Sequence, residues 1–156
     1  MPEGRPADFD PLHLDAQLCF AVYSAAHAYN RLYRPLLDRL RLTYPQYLVM
    51  LVLWEADGPT VKALGKRLLL DSGTLTPLLK RLEAAGLLVR ERSAIDERQV
   101  LIRLTEAGRA LKVEAASIPP VIAGAFGGSQ ADGRLLKETL TDLRDRLNAQ
   151  PGKAIG

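Results

Sequence analysis

Cys19 is the only cysteine among 156 residues and the side chain most able to do covalent chemistry. The nucleophile is the thiolate, and an ordinary thiol of pKa about 8.5 is only a few per cent ionised at neutral pH, so a reactive Cys19 needs donors or positive charge around it. A single Cys excludes an intramolecular disulfide and fits a reducing compartment. On its own residues Cys19 reads first as a small buried hydrophobe, because Leu18, Phe20, Val22 and Tyr23 surround it with apolar side chains. Tyr23, four residues on, could touch it on a helix. His27 is eight residues on, about 12 Å at 1.5 Å per residue, beyond hydrogen-bond reach within one chain. With no Cys pair, and with His13 and His27 in no cluster with carboxylates, a metal site has little support and no cofactor is implied.

The other chemistry-bearing set is cationic. From Thr60 to Thr105 there are nine Lys and Arg against five Asp and Glu, a local net of +4, while the rest of the chain has twelve against thirteen. The overall charge of +3 therefore sits in one segment. Spacing alone leaves two readings of Lys80 and Arg81 level, a solvated helix face or a phosphate-binding one.

The elements that must carry these cations read as a winged helix-turn-helix in a mainly α chain with a small β-hairpin wing. Thr60 caps a short helix with Val61, Leu64 and Leu68 on one face. Asp71-Ser72-Gly73-Thr74 is a turn and cap, after which Leu75, Leu78, Leu79 and Leu82 form a buried stripe opposite Thr74, Thr76, Lys80 and Arg81. Two starts for this second helix are open: Thr76 as N-cap with Pro77 first, or a start near Ser72 with Pro77 inside. Gly86 suits a left-handed C-cap. Leu87 to Arg92 and Gln99 to Leu104 pair as strands around a polar tip, Ser93 to Arg98, whose cation could reach into a groove.

Residues 1–11, with three Pro, read as a flexible N-terminal arm, residues 12–149 as a single domain, and 150–156 as a tail. Leu14 to Leu32 is helical and apolar on most sides, and Pro35 is expected to interrupt it before a short second helix, Leu36 to Leu40. Thr43-Tyr44-Pro45-Gln46 has capping-box spacing and opens a core helix that Asp57-Gly58-Pro59 ends. Thr105 caps another helix that Pro119-Pro120 must bend or divide, and Gly124, Gly127 and Gly128 surround a break. The last helix, Ser129 to Ala149, carries a seam of Leu136, Leu140, Leu143 and Leu147. One small domain can hardly cover such terminal helices, which implies a homodimer built from residues 12–42 and 105–149, with residues 43–104 as the DNA-binding lobe. Its two recognition helices would enter major grooves about 34 Å apart and read a pseudo-palindromic operator in double-stranded DNA. The start lacks a signal-peptide core and the longest apolar run, Leu48 to Trp54, is far shorter than a membrane span of about 20 residues, so a cytoplasmic location is expected.

Asp96-Glu97-Arg98, five residues, then Leu104-Thr105 followed by Glu106-Ala107-Gly108 resembles the wing signature of the MarR family of bacterial winged-helix regulators. Leu70 to Glu83 resembles more narrowly the branch that senses organic hydroperoxides, the OhrR repressors. Leu18-Cys19-Phe20-Ala21 and Tyr44-Pro45-Gln46-Tyr47 look like that branch too, and the likeness spans Leu12 to Ala149. The resemblance implies a reactive Cys near the start of the first helix and two Tyr, fourteen and twenty-five residues later, that reach it from the partner subunit; here these are Cys19, Tyr33 and Tyr44. It also carries over Ser72, Gly73, Thr74 and Thr76 as DNA contacts beside Lys80, Arg81 and Arg98, with Asp96 orienting Arg98.

Three functions follow. The leading one is a repressor, not an enzyme, that releases its operator when an organic hydroperoxide oxidises Cys19. The family it resembles has a subtype with a second Cys late in the chain; Val121 to Gly127 holds none here, so the chain resembles the one-Cys subtype. Its sulfenic acid is left with a low-molecular-weight thiol, a neighbouring backbone nitrogen or further oxidation, of which the thiol is expected, and overoxidised protein should stay off DNA. The alternative keeps DNA binding but uses a reversible lipophilic or phenolic ligand. The third, a thiol peroxidase, lacks a resolving Cys and an evident general base.

Overall fold

The structure, a computed structural model, describes residues 10–150. The expected arm and tail therefore lie almost wholly outside the described residues. Two compact units meet at Ser117–Ile118 in the chain. The first contains α1 (Leu18–Asp38), α2 (Tyr44–Glu55), α3 (Val61–Leu68), α4 (Ser72–Ala84), β1 (Leu88–Arg92), β2 (Val100–Leu104) and α5 (Glu106–Ala115). The second contains α6 (Ile118–Phe126) and α7 (Gln130–Asn148).

α2 is the centre of the first unit. Its capping box forms as the spacing predicts: Gln46 N donates to Thr43 Oγ1 at 3.3 Å, and Thr43 N to Gln46 Oε1 at 2.9 Å. Tyr47, Val49, Met50, Val52 and Leu53 are all buried on it, so almost its whole circumference is core. Leu64, Leu75, Leu79, Leu82, Leu88 and Ile102 complete that core from the other elements.

α1 departs from expectation at both ends. It starts at Leu18 after a 3-10 turn at Leu14–Ala16, and it runs through Pro35 to Asp38, so there is no separate Leu36–Leu40 helix. Pro35 falls in the last turn, where its missing N–H forfeits one bond on a solvent-exposed stretch, and buried Leu37 anchors the turn beyond it.

The helix-turn-helix is closed by backbone contact. Thr60 Oγ1 accepts Ala63 N at 3.0 Å to start α3. A Cβ on Gly65 would stand 2.8 Å from the Leu70 carbonyl oxygen, so only Gly allows the turn to fold back so closely. α4 starts at Ser72, because the Asp71 carboxylate accepts Thr74 N at 2.7 Å; Pro77 lies inside the helix. The side-chain cap outweighs the preference of Pro for a first position, and the carbonyl that Pro77 cannot engage belongs to exposed Gly73. Gly86, at φ +75°, ends α4 in the left-handed region as expected.

β1 and β2 pair antiparallel from Leu88 opposite Leu104 to Arg92 opposite Val100, each strand one residue shorter than the sequence suggests. Pro59 and Thr60 add a third edge that the sequence did not announce: Ile102 N donates to Pro59 O at 2.9 Å and Thr60 bridges Leu101. At the wing base, Thr105 N donates to Leu87 O at 3.1 Å and Thr105 Oγ1 accepts Gly108 N at 3.0 Å, starting α5.

In the second unit Pro119-Pro120 occupies the first turn of α6, dividing it from α5 as expected, and Gly127 at φ +72° ends it. Ser129 and Asp132 form a capping box on α7. No α7 residue is buried, and Leu135, Leu136, Leu140 and Leu147 are exposed along it.

Candidate nucleic-acid interface and thiol site

α4 buries Leu75, Leu78, Leu79 and Leu82 and turns Ser72, Gly73, Thr74, Lys80 and Arg81 to solvent, with Thr76 half-buried at the margin. Its N-terminus presents backbone N–H groups and a positive dipole end, the usual arrangement for phosphate contact. Asp96 and Arg98 are exposed at the wing tip. Thr76 and Arg98 line one cleft of about 480 Å³ together with Thr60, Lys62, Arg90 and Gln99, so the second helix and the wing share a single concave face.

Ion pairs reduce the cationic set. Arg67 pairs with Glu55 at 2.9 Å, Arg90 with Glu83 at 2.8 Å and Arg103 with Glu91 at 3.0 Å. These three hold the lobe together: Arg67 joins α3 to α2, Arg90 joins β1 to α4, and Arg103 crosses the wing. Hydrogen bonds from Arg90 hold the Glu83 carboxyl below the usual carboxylate range, and the Thr74 N–H does the same for Asp71. Lys62, Lys66, Lys80, Arg81, Arg92 and Arg98 form no ion pair among the described residues and are the cations that can face a polyanion. Asp96 is bonded to the backbone of Arg98. Its Oδ1 accepts that residue's N–H at 3.0 Å and so shapes the loop, because a side chain two residues back reaches the turn's N–H first.

Cys19 is the second residue of α1 and is exposed in one protomer, not enclosed by its own chain. Leu18, Phe20, Val22, Tyr23 and Tyr29 are exposed with it, apolar side chains spread over more than half of the helix circumference. Tyr23 stacks edge-on against His27 at 4.3 Å between ring centroids.

Tyr33 and Tyr44 come together, ring centroids 4.9 Å apart, but not at Cys19 of their own chain: fourteen helical residues separate Cys19 from Tyr33, about 21 Å. Tyr47 completes the group at 5.9 Å from Tyr33 and 6.4 Å from Tyr44, and Trp54 lies 6.4 Å beyond Tyr47. Sequence reasoning passed over Tyr47, although its position three residues after Tyr44 puts both on one face of α2. Burial pushes the Tyr33 hydroxyl up to about 12, helped by the neighbouring Tyr44, Tyr47 and Tyr29, and burial also raises Tyr44 and Tyr47. Phenols raised in this way stay protonated and remain hydrogen-bond donors.

A tight helical turn, an exposed cationic second helix and a hairpin clamped beside it define a winged helix-turn-helix DNA-binding protein. Residues 31–115 match the transcriptional regulator SarA/Rot family. Over 143 residues the chain is 56% identical to the HTH-type transcriptional regulator TtmR of Methylorubrum extorquens (strain PA1), covering 92% of this chain and 73% of that one. Over 140 residues it is 50% identical to the organic hydroperoxide resistance transcriptional regulator of Bacillus subtilis (strain 168), covering 90% and 95%. The crystal structure of AbfR of Staphylococcus epidermidis superposes with a TM-score of 0.72 at 35% identity, covering 88% and 95%. AbfR is also solved bound to DNA, both reduced and overoxidised. The chain thus belongs to the MarR family of winged-helix transcriptional regulators, in its SarA/Rot group. It is a DNA-binding regulator, not an enzyme. No described helix is long and apolar enough to cross a membrane.

Proposed function

We propose that the protein is a homodimeric repressor that holds a pseudo-palindromic operator while Cys19 is reduced and releases it when an organic hydroperoxide oxidises that thiol. The observation that carries this reading is the chain's sole thiol standing exposed in the first turn of α1, on an apolar face. Residues 12–42 and 105–149 supply the dimer contacts, and the partner subunit covers the exposed side of Cys19, its α1 bringing one tyrosine and the start of its α2 the other of a Tyr33–Tyr44 pair to the sulfur. The name of the Bacillus subtilis relative supports the choice of oxidant.

The thiolate attacks the distal peroxide oxygen, the O–O bond breaks, and the departing alkoxide takes a proton, leaving an alcohol and a sulfenic acid on Cys19. A low-molecular-weight thiol then condenses with the sulfenic acid, giving a mixed disulfide and water. That bulky adduct wedges α1 from its neighbour and changes the spacing of the two α4 helices. The overoxidised AbfR on DNA argues against the expectation that overoxidation alone keeps such a chain off DNA, so release is assigned to the adduct.

Cumene hydroperoxide added to reduced protein on its operator tests the reading. Wild type should leave the DNA in the presence of a small thiol with one thiol adduct per subunit by mass spectrometry, and Cys19→Ser should stay bound. Peroxide release by Cys19→Ser refutes the sensor, and release without an adduct refutes the one-Cys route. The alternative, a reversible lipophilic or phenolic ligand, has one observation in its favour: the 480 Å³ cleft is lined by Val61, Leu79 and Val100 together with Lys62 and Arg98, suited to an aromatic compound with an ionisable hydroxyl. Such a ligand would displace DNA from Cys19→Ser as readily as from wild type.

A further inference from the structure

Ile95 at the wing tip is 99% exposed. Single apolar residues on a surface are ordinary, but this one stands on a loop built to hold it. Ser93 is only 7% exposed, and its Oγ accepts the backbone N–H groups of Ile95 at 3.2 Å and Asp96 at 3.3 Å. Ser93 N donates to Gln99 O and Gln99 N to Asp96 O, both at 2.9 Å, while Arg98 N donates to the Asp96 carboxylate at 3.0 Å. Five of the seven backbone N–H groups from Ser93 to Gln99 are thus satisfied inside the tip. A β-branched side chain on a stiffened loop has little rotamer freedom to lose on contact.

We propose that Ile95 is an apolar wedge that enters the DNA minor groove with Arg98 and makes the regulator prefer A·T pairs beneath the wing. The wedge rests on the repressor reading, in which the wing lies on DNA. Arg98 responds to groove width and potential, which many sequences share. An isoleucine responds to the groove floor: adenine offers its C2–H, whereas guanine places an N2 amino donor there, which the wedge would desolvate without providing an acceptor. Apolar wedges beside cationic side chains are an established way of binding this groove.

Reduced full-length protein would first select sites from random-sequence duplex DNA, and hydroxyl-radical protection would locate the base pairs under the wing. At those pairs 2,6-diaminopurine in place of adenine adds the minor-groove amino group and leaves the major-groove edge unchanged, while inosine in place of guanine removes it. Wild type should bind the diaminopurine duplex, and one with G·C at those pairs, about tenfold more weakly than the selected one, and inosine in place of that guanine should restore binding. Ile95→Ser should bind the selected duplex about tenfold more weakly and no longer distinguish the two, with Ile95→Val keeping the distinction. An exposed residue should leave the melting temperature unchanged, which separates these effects from folding. Equal discrimination by wild type and Ile95→Ser overturns the wedge; if Arg98→Ala still weakens binding, the wing's place on DNA stands. If Ile95→Ser and Arg98→Ala both bind like wild type, the wing does not lie on DNA and both ideas fall.

Discussion

Tyr33 shows how one residue's surroundings set both its chemistry and its effect on stability. Its hydroxyl is pushed up to about 12 by burial first and by the Tyr44, Tyr47 and Tyr29 phenols second. A raised folded value means that the stability it contributes is complete below the ordinary tyrosine range and is lost as pH climbs from about 10 towards 12. Tyr33→Phe should therefore flatten the alkaline fall in stability in that window, followed by denaturant titrations at successive pH values. The same substitution removes a donor and keeps the ring, so oxidation of Cys19 should slow by about tenfold, measured as thiol loss in stopped flow. If oxidation kept its rate while the alkaline profile changed, Tyr33 would be a packing residue only. Gly108 illustrates a steric demand instead. A Cβ there would overlap the Leu87 carbonyl oxygen at the wing base, so Gly108→Ala should cost about 1–3 kcal/mol in urea unfolding.

Among the elements, α4 is the one to which the proposed reading assigns the DNA contacts, and its two ends are tied down differently. The N-terminal tie is Asp71, whose carboxylate accepts Thr74 N at 2.7 Å; Asp71→Ala should lower the melting temperature and weaken DNA binding by loosening Ser72 and Gly73. The C-terminal tie is Glu83, bonded to both the backbone and the guanidinium of Arg90 on β1, so helix and wing move as one piece. Glu83 is held below its ordinary range, so its contribution is present above about pH 4.5 and is lost as pH falls through the lower folded value. Glu83→Gln should accordingly lose less stability on acidification than wild type, read by far-UV circular dichroism between about pH 5 and 3. Behind α4, Trp54 Nε1 donates to Gly108 O at 2.8 Å and Lys112 Nζ to Trp54 O at 3.1 Å, fastening α2 to α5. Tyr47 stacks on that Trp54, so the tyrosine group and the wing base are joined through α2 by direct contact.

At the scale of the whole molecule the dominant fact is apolar surface without cover. α1 leaves Leu18, Phe20, Val22, Tyr23 and Tyr29 exposed, and α7 leaves Leu135, Leu136, Leu140 and Leu147 exposed. Contiguous apolar faces of this kind mark association surfaces, and a two-fold arrangement lets each cover its equivalent. Leu136→Glu with Leu140→Glu should convert the dimer to monomer in sedimentation and reduce operator affinity by about a hundredfold or more, since half-sites would then be bound one at a time. Arg98→Ala, and Lys80→Ala with Arg81→Ala, should each weaken binding and lower the slope of log affinity against log salt by roughly one for each phosphate no longer neutralised. Unchanged slopes would move the recognition surface elsewhere.

The order and type of most elements were readable from local chemistry. Thr43 with Gln46, Thr60, Thr105 and Ser129 each cap a helix where hydrogen-bonding side chains stand next to apolar periodicity. The alternation of Leu75, Leu78, Leu79 and Leu82 against Thr74, Lys80 and Arg81 likewise reported which face of α4 is buried, because a 3.6-residue period is a property of the chain itself. Pro35 and Pro77 were misjudged or left open by the same local rules, since whether a helix survives a proline depends on what anchors the turns on either side, here Leu37 in the core and the Asp71 cap. Only the tertiary structure put Tyr33 of α1 beside Tyr44 and Tyr47 of α2, joined Pro59 and Thr60 to the wing, and engaged Arg67, Arg90 and Arg103 in ion pairs within the lobe. Those are contacts between different elements, whose mutual placement no local period sets. Composition counts their charges and rings but carries no information about which of them meet.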